Sequence, residues 1–232
     1  MITVLVEPGS IATGVSLSLD PAEVHHLQVR RVSSGEDVRL LDGVGGIGMG
    51  ILTLDRKAAT VEVREAARVE PPPALRLAVG AGDRDRFGWL IEKSAELGVS
   101  DVFPLETERT VNVSSRIRSE HIEKLARRGL DAIKQSGSAW APRVHASVSL
   151  DEFLADGRNL KLAAEQGTGA FPPIKPTDAL DCLVGPEGGW TAREVATMDA
   201  RGCRFVSLSF NTLRFETAAI AFAVLVRHQR EG

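Results

Sequence analysis

Apolar and polar residues alternate in short runs over residues 1–70 of the chain. Such alternation predicts half-buried β-strands, because successive side chains of a strand point to opposite faces of the sheet. One helix interrupts the pattern, and Asp20-Pro21-Ala22-Glu23 carries its start signals. The predicted strands are residues 2–6, 15–19, 37–41, 50–54 and 60–66. We therefore expect this region to fold as a small β-barrel or sandwich with one helix.

The pattern changes after Glu70-Pro71-Pro72-Pro73, a segment that interrupts both helices and central strands and is typical of a linker. Beyond it, apolar strand-like runs alternate with helical runs. The predicted strands are residues 75–80, 102–105, 160–164, 181–184 and 204–208, and the predicted helices are residues 86–97 and 119–135, one from residue 191 and one at the end. This succession indicates an α/β domain over residues 74–232, with a mainly parallel sheet covered by helices on both faces.

Two polar loops in the second domain are the strongest candidates for a binding site. Residues 184–190 read VGPEGGW and residues 211–219 read NTLRFETAA. Each loop follows a predicted strand and precedes a predicted helix. In the first loop, Gly185, Gly188 and Gly189 remove side chains where a ligand would have to meet the backbone.

Both loops also carry helix-start signals. Thr191 with Glu194 predicts a capping box that opens the helix after the first loop. In the second loop, Arg214 and Glu216 place a cation and an anion at the mouth of a helix predicted to begin near Thr217, where backbone amides lack partners. Two such loops can face one site.

Other features exclude some classes of protein. Gly43, Gly45 and Gly48 match a dinucleotide-binding fingerprint, but the chain continues as a strand where that fold needs a helix, so a glycine-rich hairpin is predicted. No cysteine or histidine spacing typical of a metal site occurs, so no metal is expected. Cys182 and Cys203 lie in apolar runs that predict buried thiols.

The longest apolar run, residues 218–226, is shorter than the ~20 residues that a membrane-spanning helix needs. It predicts a helix covered on nearly all sides, either by the protein core or by a second subunit, and a homodimer is the favoured interpretation. The start of the chain has no basic segment before its apolar residues, so no signal peptide is predicted and a cytoplasmic location is expected.

Charge gives a local signal only. The formal net charge is −3, and neither domain has an excess of basic residues, so net charge does not indicate nucleic-acid binding. Basic residues cluster at Arg30 and Arg31, at Arg84 and Arg86, and along the helix predicted at residues 119–135. A solvated helix face explains any one cluster equally well, whereas three clusters flanking candidate loops favour phosphate contacts.

An ordered set of short motifs runs through both predicted domains. They are HHLQVRR at 25–31, LLDG at 40–43, GDRDRFGWLIEKSAELGV at 82–99, PLETERTV at 104–111, IKQSG at 133–137, VGPEGG at 184–189 and LSFNTLRFETAA at 208–219. In this order and spacing they resemble the bacterial 16S ribosomal RNA uracil-N3 methyltransferases. The chain departs from that family at Ser209 and Asn211, where relatives usually carry Gly and Arg. It also departs after the Gln-Ser motif, where the usual Arg is replaced by Ser138 or is absent.

The resemblance implies a knotted (SPOUT) methyltransferase domain with a deep trefoil knot, preceded by a PUA-like RNA-binding barrel. It also implies a homodimer that binds S-adenosylmethionine and methylates N3 of a uridine in the decoding region of small-subunit RNA. By analogy, the cofactor-binding residues are Leu162, Gly185, Pro186, Glu187, Gly188, Gly189, Leu208, Ser209, Asn211, Leu213 and Thr217. The RNA-binding residues implied are Arg30, Arg31, Arg84, Arg86, Arg109, Gln135 and Ser136.

The catalytic candidates are Arg214 and Glu216. Uracil N3 carries a proton and is a poor nucleophile until that proton leaves. Arg214 can donate to a uracil oxygen as negative charge develops. Glu216 can accept the proton or orient Arg214, and the orienting role is favoured because a carboxylate beside an arginine is a weaker base. The two residues can also be a purely structural ion pair.

Two other functions stay open at this point. One is a non-catalytic ribosome assembly or RNA-binding factor on the same scaffold. The other is a methyltransferase of the same fold that acts on transfer RNA or on a ribose 2′-hydroxyl.

Overall fold

The computed structural model describes residues 1–56, 58–80, 83–110, 117–157 and 159–231. Gly82 and Val111, the ends of two quoted motifs, lie outside the described residues. The chain forms two compact units. The first unit is Met1–Pro71 with Leu130–Ala141, and the second unit is Pro72–Gly129 with Pro142–Gly232.

In its described residues, the first unit is a five-stranded mixed sheet with one complete helix. Its elements are β1 (Ile2–Leu5), β2 (Ser16–Ser18), α1 (Pro21–Val29), β3 (Asp37–Leu41), β4 (Gly46–Leu54) and β5 (Ala59–Arg68). The strand order is β1-β3-β4-β5-β2, with β1 and β3 parallel and the other neighbours antiparallel. Asp20 caps α1 by accepting a hydrogen bond from the amide of Glu23 at 2.8 Å. All the strands predicted for this region, and its helix, are confirmed.

Asp42 shapes the turn of the LLDG motif. Its buried carboxylate accepts hydrogen bonds from the amides of Gly9, Val44 and Gly46, at 3.0, 2.9 and 2.7 Å. The turn joins β3 to β4 as an antiparallel hairpin. The predicted glycine-rich hairpin is therefore confirmed, and the dinucleotide fingerprint is a coincidence of glycine spacing.

Leu130–Ala141 belongs to the first unit through pairing that is distant in sequence. Trp140 forms an isolated antiparallel bridge with Val44, and its indole Nε1 donates to Val69 O at 3.2 Å. The sequence pattern placed these residues in the second domain, because the proline-rich linker is the only boundary signal in the pattern. Long-range pairing of this kind leaves no trace in local periodicity.

In its described residues, the second unit is a parallel sheet covered by helices. Its elements are β6 (Leu75–Val79), α2 (Arg84–Glu96), β7 (Asp101–Glu106), α3 (Ser119–Ser136, whose last turns belong to the first unit), β8 (Arg143–Val144), β9 (Val148–Ser149), α4 (Leu150–Ala155), β10 (Leu160–Gly169), β11 (Leu180–Val184), α5 (Ala192–Ala200), β12 (Arg204–Val206) and α6 (Phe215–Glu231). The strand order is β12-β10-β11-β6-β7-β8, with β9 beside β7, and every pairing is parallel. The predicted α/β class is confirmed.

Two apolar cores cover the two faces of this sheet. Leu77 of β6 packs in a core that includes Phe87 of α2 and Phe222 of α6. The next strand residue, Ala78, belongs to the other core with Met198 of α5. Because successive side chains of a strand alternate between faces, a strand buried on both faces is continuously apolar. This explains why the strand-like runs of the second domain do not alternate with polar residues.

The sequence pattern did not predict β8, β9 or α4. The two strands have two residues each, too few to show any periodicity. The helix has six residues and does carry a signal, because Ser149 and Glu152 form a reciprocal capping box at its start. That capping motif was the only local sign of the element.

Both cysteines are free and buried, as predicted. Burial raises the pKa of the Cys203 thiol to about 11 and raises the pKa of Cys182 further still, so neither is a reactive thiolate near neutral pH. The apolar helix α6 buries Phe222 and Val226, whereas Val224 is 46% exposed. None of the helices in the described ranges is long and apolar enough to cross a membrane.

Candidate functional site

A cavity of about 280 Å³ opens beside the middle of β10, where its two neighbouring parallel strands, β11 and β12, end. Ligands of parallel α/β sheets commonly bind at this edge, because the loops that follow the strands gather there. The lining residues are Ala164, Glu165, Gln166, Val184, Gly185, Pro186, Glu187, Gly188, Gly189, Trp190, Leu208, Ser209, Asn211, Thr212, Leu213, Phe215 and Ala218. Both candidate loops of the sequence therefore face one cavity.

The loop after β11 turns tightly against an indole ring. A Cβ on Gly185 would lie 3.1 to 3.3 Å from ring atoms of Trp190, and Gly189 has a φ of 71°, in the left-handed region that favours glycine. Trp190 is buried, and its Nε1 donates to Ala164 O at 3.1 Å, which ties the loop to β10. The indole is thus a fixed wall of the cavity.

Thr191 and Glu194 form the predicted capping box of α5. The amide of Glu194 donates to Thr191 Oγ1 at 3.2 Å, and the amide of Thr191 donates to Glu194 Oε2 at 2.8 Å. Glu194 Oε1 also accepts from the amide of Glu108 at 2.9 Å, so the same carboxylate fixes the loop that follows β7. That loop carries Arg109, whose Cδ lies 2.9 Å from the position of a Cβ on Gly188. The Arg109 side chain therefore lies against the glycine loop.

Hydrogen bonds anchor the loop after β12. Gln166 Nε2 donates to Phe210 O at 2.9 Å, and Gln166 Oε1 accepts from Thr212 Oγ1 at 2.7 Å. Ser209 Oγ accepts from the amide of Asn211 at 3.2 Å. Ser209 and Asn211, where the chain departs from the family it resembles, both line the cavity and help to shape its loop.

The charged side chains of the lining are acidic. Glu165 and Glu187 line the cavity, and no lysine or arginine is among its described lining residues. Arg86 pairs with Glu187, with 2.8 Å between Nη1 and Oε1. Arg109 has neither an ion pair nor a hydrogen bond from its side chain to any described residue. The lining therefore presents carboxylates to a ligand, one of them paired with an arginine, and Arg109 lies beside its glycine loop.

Arg214 and Glu216 flank the first residue of α6, which begins at Phe215, two residues before the predicted start at Thr217. Arg214 is exposed, and its guanidinium has no ion pair or hydrogen bond within the described residues. Glu216 is buried, with 7% exposure, and its Oε2 has no hydrogen-bond partner there. Arg214 precedes the helix with an exposed side chain, whereas the carboxylate of Glu216 is buried, which explains why the two charges do not pair.

Two predicted cofactor residues, Leu162 and Thr217, do not line the cavity. Leu162 is fully buried in the core beside α2 and α6, because alternation along β10 turns it towards those helices. Thr217 is exposed on α6. Trp190 and Ala218 also line the cavity, although neither was among the predicted cofactor-binding residues, and their only sequence signal was their place within the two candidate loops.

The predicted RNA-binding residues fall in both units. Arg30 and Arg31 are exposed at the end of α1, and Gln135 and Ser136 are exposed at the end of α3. These four belong to the first unit, whereas the exposed Arg84 lies at the start of α2 in the second unit, with Arg86 and Arg109. Over the ranges that the structure covers, no group of three or more His, Cys, Asp or Glu side chains could hold a metal ion.

Comparisons with known proteins agree with these observations. Residues 69–227 match the family model described as an RNA methyltransferase domain, and residues 19–64 match that described as an RNA methyltransferase PUA domain. The ribosomal RNA small subunit methyltransferase E of Synechocystis is 31% identical over 215 residues, which cover 88% of this chain and 70% of the relative.

Solved structures agree over nearly the whole chain. The ribosomal RNA small subunit methyltransferase E of Neisseria gonorrhoeae, bound to S-adenosylmethionine, is 27% identical with a TM-score of 0.87, covering 98% of this chain and 97% of that one. A Legionella pneumophila methyltransferase, also with this cofactor, is 26% identical with a TM-score of 0.86 and the same coverage. The expected SPOUT α/β domain after a PUA-like domain is confirmed. The chain therefore belongs to the ribosomal RNA small subunit methyltransferase E family.

Proposed function

We propose that this protein transfers the methyl group of S-adenosylmethionine to N3 of a uridine in the decoding region of small-subunit ribosomal RNA. The observation that carries the proposal is the cavity beside β10 and at the ends of β11 and β12, where both candidate loops meet. Membership of the family supports the reaction class, and the names of its relatives support the RNA. Two relatives of known structure bind S-adenosylmethionine, which supports the cofactor.

The residues of the cavity fit this cofactor. S-adenosylmethionine supplies an electrophilic methyl group on a positively charged sulfur. Glu187 is paired with Arg86, so Glu165 is the lining carboxylate whose negative charge would suit a cation and disfavour a phosphate-rich cofactor. Trp190, Leu208 and Leu213 offer apolar surface for an adenine ring, and the glycine loop offers backbone groups for hydrogen bonds.

Arg214 and Glu216 would perform separate tasks. Arg214 is always charged and has no partner within the described residues, so it would donate to a uracil oxygen as negative charge develops on the base. Glu216 does not line the cavity, but its buried Oε2 has no hydrogen-bond donor among the described residues, and once the RNA is bound it would accept the N3 proton or a hydrogen bond. The missing ion pair favours these roles over the one in which Glu216 orients Arg214.

The arginines near the glycine loop would contact RNA phosphates. Arg109 is free to do so among the described residues, whereas Arg86 would have to leave Glu187. Arg30 and Arg31 would extend the RNA contact to the first unit. Phosphate contacts of this kind position the RNA and carry no sequence information.

We further propose that the protein is a cytoplasmic homodimer. Trp89 of α2 is 44% exposed and Val224 of α6 is 46% exposed, and a second copy of the chain would cover such apolar residues. Sedimentation velocity over a range of concentrations is expected to give a dimer. A monomer at every concentration would contradict this part of the proposal.

The reaction is tested with purified protein, radiolabelled S-adenosylmethionine and small ribosomal subunits. Label is expected in the RNA, and calorimetry is expected to detect cofactor binding. Cofactor binding without transfer to any RNA would contradict the reaction. No cofactor binding at all would favour a non-catalytic assembly factor, and label in transfer RNA alone would identify a different substrate.

A further inference from the structure

Phe210 is a fully exposed aromatic residue beside the cavity. Its relative exposure is 102%, and its neighbours Ser209 and Asn211 both line the cavity. Single exposed apolar residues are common on protein surfaces and need no explanation by themselves. The loop, the surroundings and the reaction set this one apart.

The loop that presents Phe210 is anchored. Gln166 holds the backbone carbonyl of Phe210 at 2.9 Å and the hydroxyl of Thr212 at 2.7 Å, so the loop is fixed on both sides of Asn211. Ser207 donates from its amide to Gly169 O at 2.9 Å, which ties the start of the loop to β10. Phe210 therefore faces water from a loop held by hydrogen bonds.

The surroundings of Phe210 suit a nucleobase better than a protein surface. Ser209, Asn211 and Thr212 around it are polar, whereas a protein interface needs a contiguous apolar core. Arg214, four residues further along, is exposed and unpaired within the described residues, so a cation is available for a polyanion. A base has an apolar face for stacking and a polar edge for hydrogen bonds, and this combination matches both features.

We infer that Phe210 stacks on an unpaired base of the RNA substrate at the mouth of the cavity. This inference rests on the proposed function and adds a positioning residue to it. A base that is methylated at N3 has to leave its stack, because the N3 edge is hidden in a paired and stacked helix. Stacking on Phe210 replaces part of the lost contact, either for the target base or for its neighbour.

The test compares three substitutions that keep or remove the aromatic face. Phe210→Trp keeps it, Phe210→Leu keeps apolar bulk without it, and Phe210→Ala removes both. Each variant is assayed for cofactor affinity by calorimetry, and for the affinity for small ribosomal subunits with S-adenosylhomocysteine present, so that RNA binding is measured without turnover. The Ala and Leu variants are expected to lose about 5- to 150-fold in RNA affinity, the effect typical of one base stacked on an aromatic ring. The Trp variant and all cofactor affinities should match those of the unsubstituted protein.

Several results would overturn the inference. Full RNA affinity in the Leu variant would mean that the aromatic face is not used. A matching loss of cofactor affinity would make Phe210 a cover of the cofactor, and a shift of the dimer equilibrium in sedimentation would make it a subunit contact. If the unsubstituted protein binds subunits but transfers no methyl group, the proposed function fails while the predicted RNA-affinity loss still decides the role of Phe210.

Discussion

Arg214 lies between two residues that line the cavity, Leu213 and Phe215, and its guanidinium has no partner among the described residues. Because this cation makes no ion pair or hydrogen bond with a described residue, removal of its side chain should leave the stability of the fold unchanged. A catalytic role of Arg214 therefore predicts a loss of activity without a loss of stability. The structural ion pair, the alternative that the sequence left open, would predict a loss of stability.

Arg214→Ala is expected to lower kcat by about 100-fold or more, because a donor aimed at developing charge is worth roughly that much. Cofactor affinity and the Tm should stay unchanged. The measurements are steady-state kinetics on small subunits, calorimetry with S-adenosylmethionine and a thermal melt. Near-full turnover in this variant would show that Arg214 does not stabilise charge, and Arg214→Lys serves as the matched control for charge without the planar fork.

Arg31 has a φ of 55°, a left-handed conformation that costs most residues roughly 1–2 kcal/mol, at a position after α1 where glycine is favoured. Arg30 beside it has a φ of −80°. The strained conformation has a functional explanation if the Arg31 side chain binds RNA.

Arg31→Gly is therefore expected to keep or raise the free energy of unfolding, by up to about 1 kcal/mol, while weakening RNA binding. Arg30→Gly is the control: it removes a neighbouring cation but should lower stability by about 0.5–1 kcal/mol, since its backbone is already right-handed. Denaturant unfolding and RNA titration give the two readouts. A loss of stability in Arg31→Gly with unchanged RNA affinity would contradict the account.

At the scale of elements, β7 is held by an ionic cluster at its first residue. Burial opposes ionisation of Asp101, but hydrogen bonds from His145, Ser100 and Arg143 outweigh it and hold the pKa of the carboxyl at about 2. His145 Nε2 lies 2.8 Å from Asp101 Oδ1, and its ring stacks on Phe103 at 4.0 Å. The cluster fixes the start of β7 against the strand that follows α3.

Acid should remove this contribution. Because the folded-state pKa of Asp101 lies below its ordinary value of 3.8, the stabilisation is complete above about pH 4 and is lost as the pH falls towards 2. The shift corresponds to about 2 kcal/mol. Asp101→Asn is expected to lower the free energy of unfolding at pH 7 by about that amount, with the difference from the unsubstituted protein shrinking below pH 4. A difference that does not change with pH would contradict this origin.

The local pattern of apolar and polar residues was sufficient to predict the regular strands and helices that bury one or both faces. It located β6, β10 and β11, and the capping box at Thr191 and Glu194, because each of these follows from neighbouring residues. It placed the start of α6 near Thr217, two residues after the observed start at Phe215. The sequence shows that charged residues lie near the start of the helix, but not which of them precedes its first residue. It could not show that the two charges are separate or that Trp190 closes the cavity wall, because both depend on side-chain direction.

At the scale of the whole molecule, the net charge of −3 is unusual for an RNA-binding protein, whose affinity commonly comes from phosphate attraction. The few arginines beside the glycine loop and directly after α1 would therefore have to be supplemented by recognition of the shape of the RNA. Ribosomal proteins would hold the substrate RNA in a defined shape. Contacts from both units and from both copies of a dimer would then raise the affinity through multivalent binding. The knot stays a prediction from the family resemblance.

The central claim is that the protein, with S-adenosylmethionine bound in this cavity, methylates N3 of a uridine in small-subunit ribosomal RNA. The most direct measurement is nucleoside mass spectrometry of that RNA from a strain lacking the gene, before and after incubation of its small subunits with the purified protein and S-adenosylmethionine. We expect 3-methyluridine to be absent before incubation and present after it, and to form about 100-fold more slowly, or not at all, when Arg214→Ala replaces the unsubstituted protein. A 2′-O-methylated nucleoside, or no new methylated nucleoside in this RNA, would contradict the claim.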